Sequence, residues 1–155
     1  MDTIDKDILQ ILQKNTTLPL SEIANRVGIS KTPCWNRIRA LEEKGVIREK
    51  VAILDNEKLN LNVVVFLSIS VSHHSDSWIE KFSEAVKKYN QIIEVDRVTG
   101  SNMDYLLKIV AASVAEYDQF QQSLINEIEF TNMSSSIALK EIKRVTALPL
   151  EFLNA

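Results

Sequence analysis

Apolar residues recur at helical spacing through the first fifty positions and again, mixed with strand-like alternation, beyond position sixty. Ile4, Ile8, Ile11 and Leu12 share one helical face, and Thr16-Thr17-Leu18-Pro19 interrupts it. Leu20, Ile23, Ala24 and Val27 form a second, shorter stripe, with Ser21 near its start and Gly28 just past its end. Glycine there supplies the left-handed backbone that closes a helix. A third helix is expected to start at Thr32-Pro33, a capping hydroxyl followed by a residue whose missing N–H is tolerated in the first turn. Its inward face is Cys34, Ile38 and Leu41, and Gly45 ends it.

The rest of the chain mixes two periods. Val51–Leu54 is a short strand candidate, and 56–62 is polar and loop-like. Val63–Val71 is rich in β-branched residues and ends in strict alternation. Ser77-x-x-Glu80 and Ser113-x-x-Glu116 have the spacing of capping boxes. They precede the stripes Ile79, Phe82, Val86, Tyr89 and Tyr117, Phe120, Leu124, Ile128. Ile92–Val98, Tyr105–Ala111 and Ile137–Val145 are the remaining strand candidates. The order β-α-β-β-α-β predicts a ferredoxin-like domain, two helices on one face of a four-stranded sheet. The fold class is thus α+β. Residues 1–49 form a helix-turn-helix domain, 50–62 a strand and hinge linker, and 63–155 the ferredoxin-like domain.

Both alternating sets of Tyr105–Ala111 are largely apolar, as are Val63 to Phe66. A sheet with water on its open face should alternate cleanly. A second copy of the chain is the expected cover for that face, with either Val64 or Val65 meeting it.

Charge sharpens the division. The chain carries a formal net charge of −3, yet residues 1–50 hold nine Lys and Arg against seven Asp and Glu. No carboxylate occurs from Ile23 to Leu41, where Arg26, Lys31, Arg37 and Arg39 fall. A helix, a glycine turn and a basic helix make a helix-turn-helix, whose second helix enters the major groove of double-stranded DNA. Thr32, Asn36, Arg39 and Ala40 are expected to point outward, with Trp35 and Arg37 on the flanks. Asn and Arg can read adenine and guanine, while Lys31 and Arg26 suit phosphates. The expected DNA-binding set is therefore Arg26, Lys31, Thr32, Trp35, Asn36, Arg37 and Arg39. A protein-docking module is the competing reading of the same pattern.

Catalytic and metal signals are weak. His73 and His74 are adjacent on an expected strand end and so face apart. Cys34 lies on an apolar helical face, which suits a buried thiol better than a nucleophile. No GxGxxG, P-loop or HExxH pattern occurs, and no cofactor or metal is expected. An enzyme built on the second domain would have to use scattered groups. One cysteine, no apolar run of membrane length and an acidic MDTIDKD start predict a cytoplasmic protein with no membrane association.

The stretches IDKDILQILQKN, LSEIANRVGISKTPCWNRIRALEEKGVI, DYLLKIV and SSIALKEIK together resemble the Lrp/AsnC family of transcription regulators. Thr32-Pro33-Cys34, followed by Arg37 and Leu41-Glu42, carries the resemblance most specifically. The resemblance implies a DNA-binding N-terminal domain, tied by a strand near Val51–Leu54 and a hinge to a ferredoxin-like domain. It implies back-to-back sheets in a homodimer, further assembly commonly to an octamer, and a small effector, often an amino acid, between dimers. The family's effector loop is usually Gly-x-x-Asp-Tyr; here Gly100 to Tyr105 is one residue longer. By the resemblance, Gly100, Ser101, Asn102, Met103 and Asp104 are the candidate effector contacts. Relatives often turn with Pro-Gly after the last long helix, where this chain has Glu129 to Met133.

Overall fold

A computed structural model describes residues 1–100 and 102–152. It divides into two compact units, residues 1–53 with 142–152, and Leu54–Glu141.

The first unit begins with α1, Thr3–Leu12. Asp2 and Asp5 cap it reciprocally: Asp2 Oδ1 accepts the Asp5 N–H at 2.9 Å, and Asp5 Oδ2 accepts the Asp2 N–H at 3.2 Å. Helix α2 is Leu20–Val27 and closes on Gly28 at φ 74°. Helix α3 is Lys31–Glu43, with Ser30 at its N-cap. The expected cap at Thr32 is therefore two residues late, and Pro33 lies inside the first turn, where no intrahelical N–H is needed. After α3 the Gly45 N–H bonds Glu42 O and the Val46 N–H bonds Leu41 O, each at 2.9 Å. That pairing needs the left-handed backbone Gly45 adopts, φ 69°. Ile8, Leu9, Leu12, Ile23, Ala24, Cys34, Ile38 and Leu41 form the buried core.

The second unit holds β1 (Val63–Ser70), α4 (Asp76–Lys88), β2 (Ile92–Arg97), β3 (Tyr105–Ala111), α5 (Val114–Glu127) and β4 (Asn132–Ile137). The sheet order is β2-β3-β1-β4, and every neighbouring pair is antiparallel. Val65, Leu67 and Ile69 of β1 and Leu107 and Ile109 of β3 pack with Phe82, Ala85, Tyr117, Phe120 and Leu124 of the two helices. Ser113 caps α5 as expected, its Oγ accepting the Glu116 N–H. Helix α4 is capped by Ser75 rather than Ser77, the Ser75 Oγ accepting the Trp78 N–H, so α4 starts a residue before the expected cap.

Two strand expectations fail for physical reasons. Val51–Leu54 is not a strand, because no described segment pairs with it; Val51, Ile53 and Leu54 are exposed. The last strand is Asn132–Ile137, not Ile137–Val145. Its ladder runs from the Thr131 N–H on Ser70 O to the Ala138 N–H on Val64 O, and β1, which begins at Val63, offers no partner beyond. Residues 142–152 leave the second unit for the first. There Gln13 binds Leu148 twice, Nε2 donating to Leu148 O at 3.1 Å and Oε1 accepting the Leu148 N–H at 2.9 Å. Leu150 packs against the core of the first unit.

The open sheet face is mixed. Val64, Phe66 and Leu106 alternate with the buried positions and so lie on the face away from the helices, as does Val110, which is itself buried. Lys108 lies over the Phe66 ring, 5.9 Å from its centroid, and Ser68, Ser134 and Ser136 border the apolar part.

Candidate functional site

Helix α3 presents Lys31, Thr32, Trp35, Asn36 and Arg39 to solvent. At about 100° per residue these five positions fall in one band about 140° wide. Cys34, Ile38 and Leu41 hold the helix down from the adjoining face. Burial pushes the Cys34 thiol up from its ordinary value, which keeps it an inert protonated packing group. The Arg39 guanidinium lies over the Trp35 ring, 5.2 Å from its centroid, and its Nη2 is 3.3 Å from Glu43 Oε1. Exposed pairs of this kind bind weakly, so they orient Arg39 without committing it. Arg26, on α2, pairs with Glu22 at 2.5 Å and lines an open groove with Asp7 and Lys14.

Arg37 departs from the expectation. It is half-buried, and its Nη1 donates to Asp2 Oδ2 and to Asp5 Oδ1, both at 2.7 Å. Its position lies beyond the core stripe rather than beside the exposed band. The Asp5 and Asp2 carboxylates raise its pKa, Asp5 most. The Asp2 carboxyl is held below its usual range by the Asp5 N–H first and by Arg37 next. Sequence reasoning missed this cluster; the signal was the Asp2-x-x-Asp5 spacing ahead of an apolar stripe.

A second cluster gathers at the far end of β1. Asp104 Oδ2 accepts the Val71 N–H at 2.8 Å, and the Asp104 N–H donates to Ile69 O at 2.9 Å. The other oxygen, Oδ1, is 3.8 Å from His74 Nε2. Ser70 Oγ donates to Asn102 O. Asn102 takes left-handed backbone, φ 64°, while Gly100 does not, and a Cβ on Gly100 would meet nothing within 4 Å. Left-handed backbone is taken up at Asn102, whose residue type tolerates that region. Asn102 is exposed, and Met103 and Asp104 are half-buried. Ser101 lies outside the described residues. The His74 ring sits against Trp78 and Tyr105, at centroid distances of 6.2 and 5.8 Å. Trp78 Nε1 donates to Glu129 O at 2.9 Å, and Phe130 meets its ring edge-on. Two departures from the family pattern, the long loop and the Glu129 to Met133 segment, thus converge on the end of β1 and the aromatic cluster.

No helix among the described residues is long and apolar enough to cross a membrane, and no group of three or more His, Cys, Asp or Glu among them is placed to hold a metal.

Comparison with known proteins gives these clusters a context. Residues 1–48 match the winged helix-turn-helix DNA-binding family, and residues 64–148 match the Lrp/AsnC ligand binding domain. The glutamate uptake regulatory protein of Zymomonas mobilis is 37% identical over 150 residues, covering 97% of this chain and 91% of its own. The DNA-binding transcriptional activator DecR of Escherichia coli is 36% identical over 152 residues, covering 97% and 99%. An AsnC family transcriptional regulator from Agrobacterium tumefaciens superimposes with a TM-score of 0.93 at 44% identity, covering 99% of this chain and 100% of the other. A transcriptional regulator of Neisseria meningitidis, solved as its L-Met complex, superimposes with a TM-score of 0.91 at 33% identity, covering 97% of each. A helix-turn-helix with a carboxylate-free basic stretch, a ferredoxin-like sheet and these full-length likenesses agree: the chain belongs to the Lrp/AsnC family of transcriptional regulators.

Proposed function

We propose that a homodimer of this chain reads operator DNA with Lys31, Thr32, Trp35, Asn36 and Arg39 of α3, and that an amino acid acting at the loop from Gly100 to Asp104 regulates it. The observation that carries the DNA contacts is the single exposed band on α3, free of carboxylates until Glu42. Arg39 and Asn36 are the base readers, and Thr32 and Trp35 frame them. Lys31 and Arg26 contact phosphates. The dimer surface is the open sheet face around Val64, Phe66, Leu106 and Val110, and further assembly to an octamer brings effector loops of neighbouring dimers together. The amino acid class is supported by the L-Met complex of the Neisseria relative and by Asp104 Oδ1, which lies 3.8 Å from His74 Nε2 and suits an α-ammonium group. Such a regulator works in the cytoplasm.

Two recognition helices on one face of a duplex sit about 34–36 Å apart. Arg39→Ala is expected to relax base preference at one position per half-site, by about 1–3 kcal/mol. Lys31→Ala should weaken binding to all sequences and flatten the salt dependence by about one unit of slope. Selection of bound genomic fragments, followed by anisotropy titrations across salt, measures both. Equal wild-type affinity for selected and random duplexes at physiological salt would refute the reading.

A further inference from the structure

Arg37 carries the charge of a DNA contact in the position of a strut. With about 3.6 residues per turn, position 37 lies roughly 170° around α3 from the centre of the band formed by Lys31, Thr32, Trp35, Asn36 and Arg39. A helix seated in a groove offers one face to the bases, so that band and Arg37 do not share it. The guanidinium is instead taken up inside the unit. The division of oxygens is complete: Asp2 Oδ1 and Asp5 Oδ2 cap α1, while Asp2 Oδ2 and Asp5 Oδ1 receive Arg37. The side chains of Asp5 and Arg37 are only 17% and 32% exposed, so this pair is better shielded than the Arg26 and Arg39 pairs.

Ile8, Leu9 and Leu12 of α1 share the buried apolar core of this unit with Cys34, Ile38 and Leu41 of α3. Apolar contact is non-directional and leaves the sliding and rotation of one helix on another weakly specified. A charge-assisted fork from mid-α3 to the first turn of α1 fixes both. We infer that Arg37 is a positioning residue, docked on the α1 capping box to set the pose of the recognition helix and making no contact with DNA. The inference rests on α3 being the recognition helix.

The test uses the full-length protein, a labelled genomic fragment recovered with the wild type, and a random-sequence duplex of equal length. Arg37→Ala, checked for retained helix content by circular dichroism, is expected to lose about tenfold of its preference for the selected fragment, with an unchanged salt slope. Arg37→Lys, which keeps a charge within reach of one carboxylate, should restore part of that preference. Asp5→Asn should also weaken selective binding, although it removes a negative charge from the DNA-binding unit. A role that only holds the fold together would lower thermal stability and leave the preference of the folded protein intact, which would overturn the inference. A direct DNA contact would flatten the salt slope in Arg37→Ala and tighten binding in Asp5→Asn; either result overturns it too. If Arg37→Ala fails to fold, Arg37→Lys and Asp5→Asn decide by the same two readouts. Failure of the recognition-helix reading itself would look different, with Lys31→Ala and Arg39→Ala both leaving DNA binding untouched.

Discussion

Val65→Asp is expected to unfold the second unit, whereas Val64→Asp, one residue away, leaves it folded and separates the protomers. Val65 is fully buried, set between Ile109 of β3 and Ile137 of β4 on the helix-covered face. A carboxylate there has no partner, and an unpaired buried charge costs more than about 4 kcal/mol, the mark of an exceptional substitution. Val64 points the other way and pairs laterally with Val110. In an isolated protomer an aspartate at 64 stays hydrated, so the fold bears little cost. In the proposed dimer the same carboxylate is forced out of water against a second apolar face. Thermal melts read the first effect and sedimentation velocity the second. Val64→Asp at wild-type size would remove this face from the assembly, and equal melting of the two variants would contradict the assignment of faces.

Asp104 should separate its two duties by substitution. Asp104→Ala deletes the acceptor of the half-buried Val71 N–H, and an unpaired donor of that kind costs about 1–3 kcal/mol. Asp104→Asn keeps an oxygen for Val71 and loses only the charge. The alanine variant is therefore expected to melt earlier than wild type, and the asparagine variant close to it. Both should lose the stabilisation that an amino acid effector confers, because neither can pair with its ammonium group. Thermal shift against the twenty amino acids, with each protein, checks this. An amino acid that protects Asp104→Asn as fully as wild type would show that the carboxylate does not hold it.

The inward faces were legible because their periodicity is enforced by burial. Cys34, Ile38 and Leu41, or Tyr117, Phe120, Leu124 and Ile128, cannot be rearranged without exposing apolar surface. Most of the exposed band of α3 followed from the same wheel by subtraction, although Ala40, expected outward, is half-buried. Arg37 was misplaced because the wheel gives an angle and not a partner; its partners lie more than thirty residues away, and Asp2 and Asp5 looked like an ordinary acidic start. The last strand was misjudged because apolar residues from Ile137 to Val145 satisfy a strand pattern, but a ladder needs a neighbour and β1 had run out. Gly100 is the loop's glycine, yet left-handed backbone falls at Asn102, whose carbonyl accepts the hydroxyl of Ser70, a partner 32 residues away.

The return of residues 142–152 to the first unit orders events during synthesis. The two hydrogen bonds between Gln13 and Leu148 join positions 135 residues apart, and Leu150 packs on a core whose other members lie within the first fifty residues. The three helices leave the ribosome before the second unit and can condense early, since their contacts are local. The lid over α1 arrives only after every strand and helix of the ligand-binding unit has emerged. The DNA-binding unit is therefore begun before the ligand-binding unit is made and completed only after it.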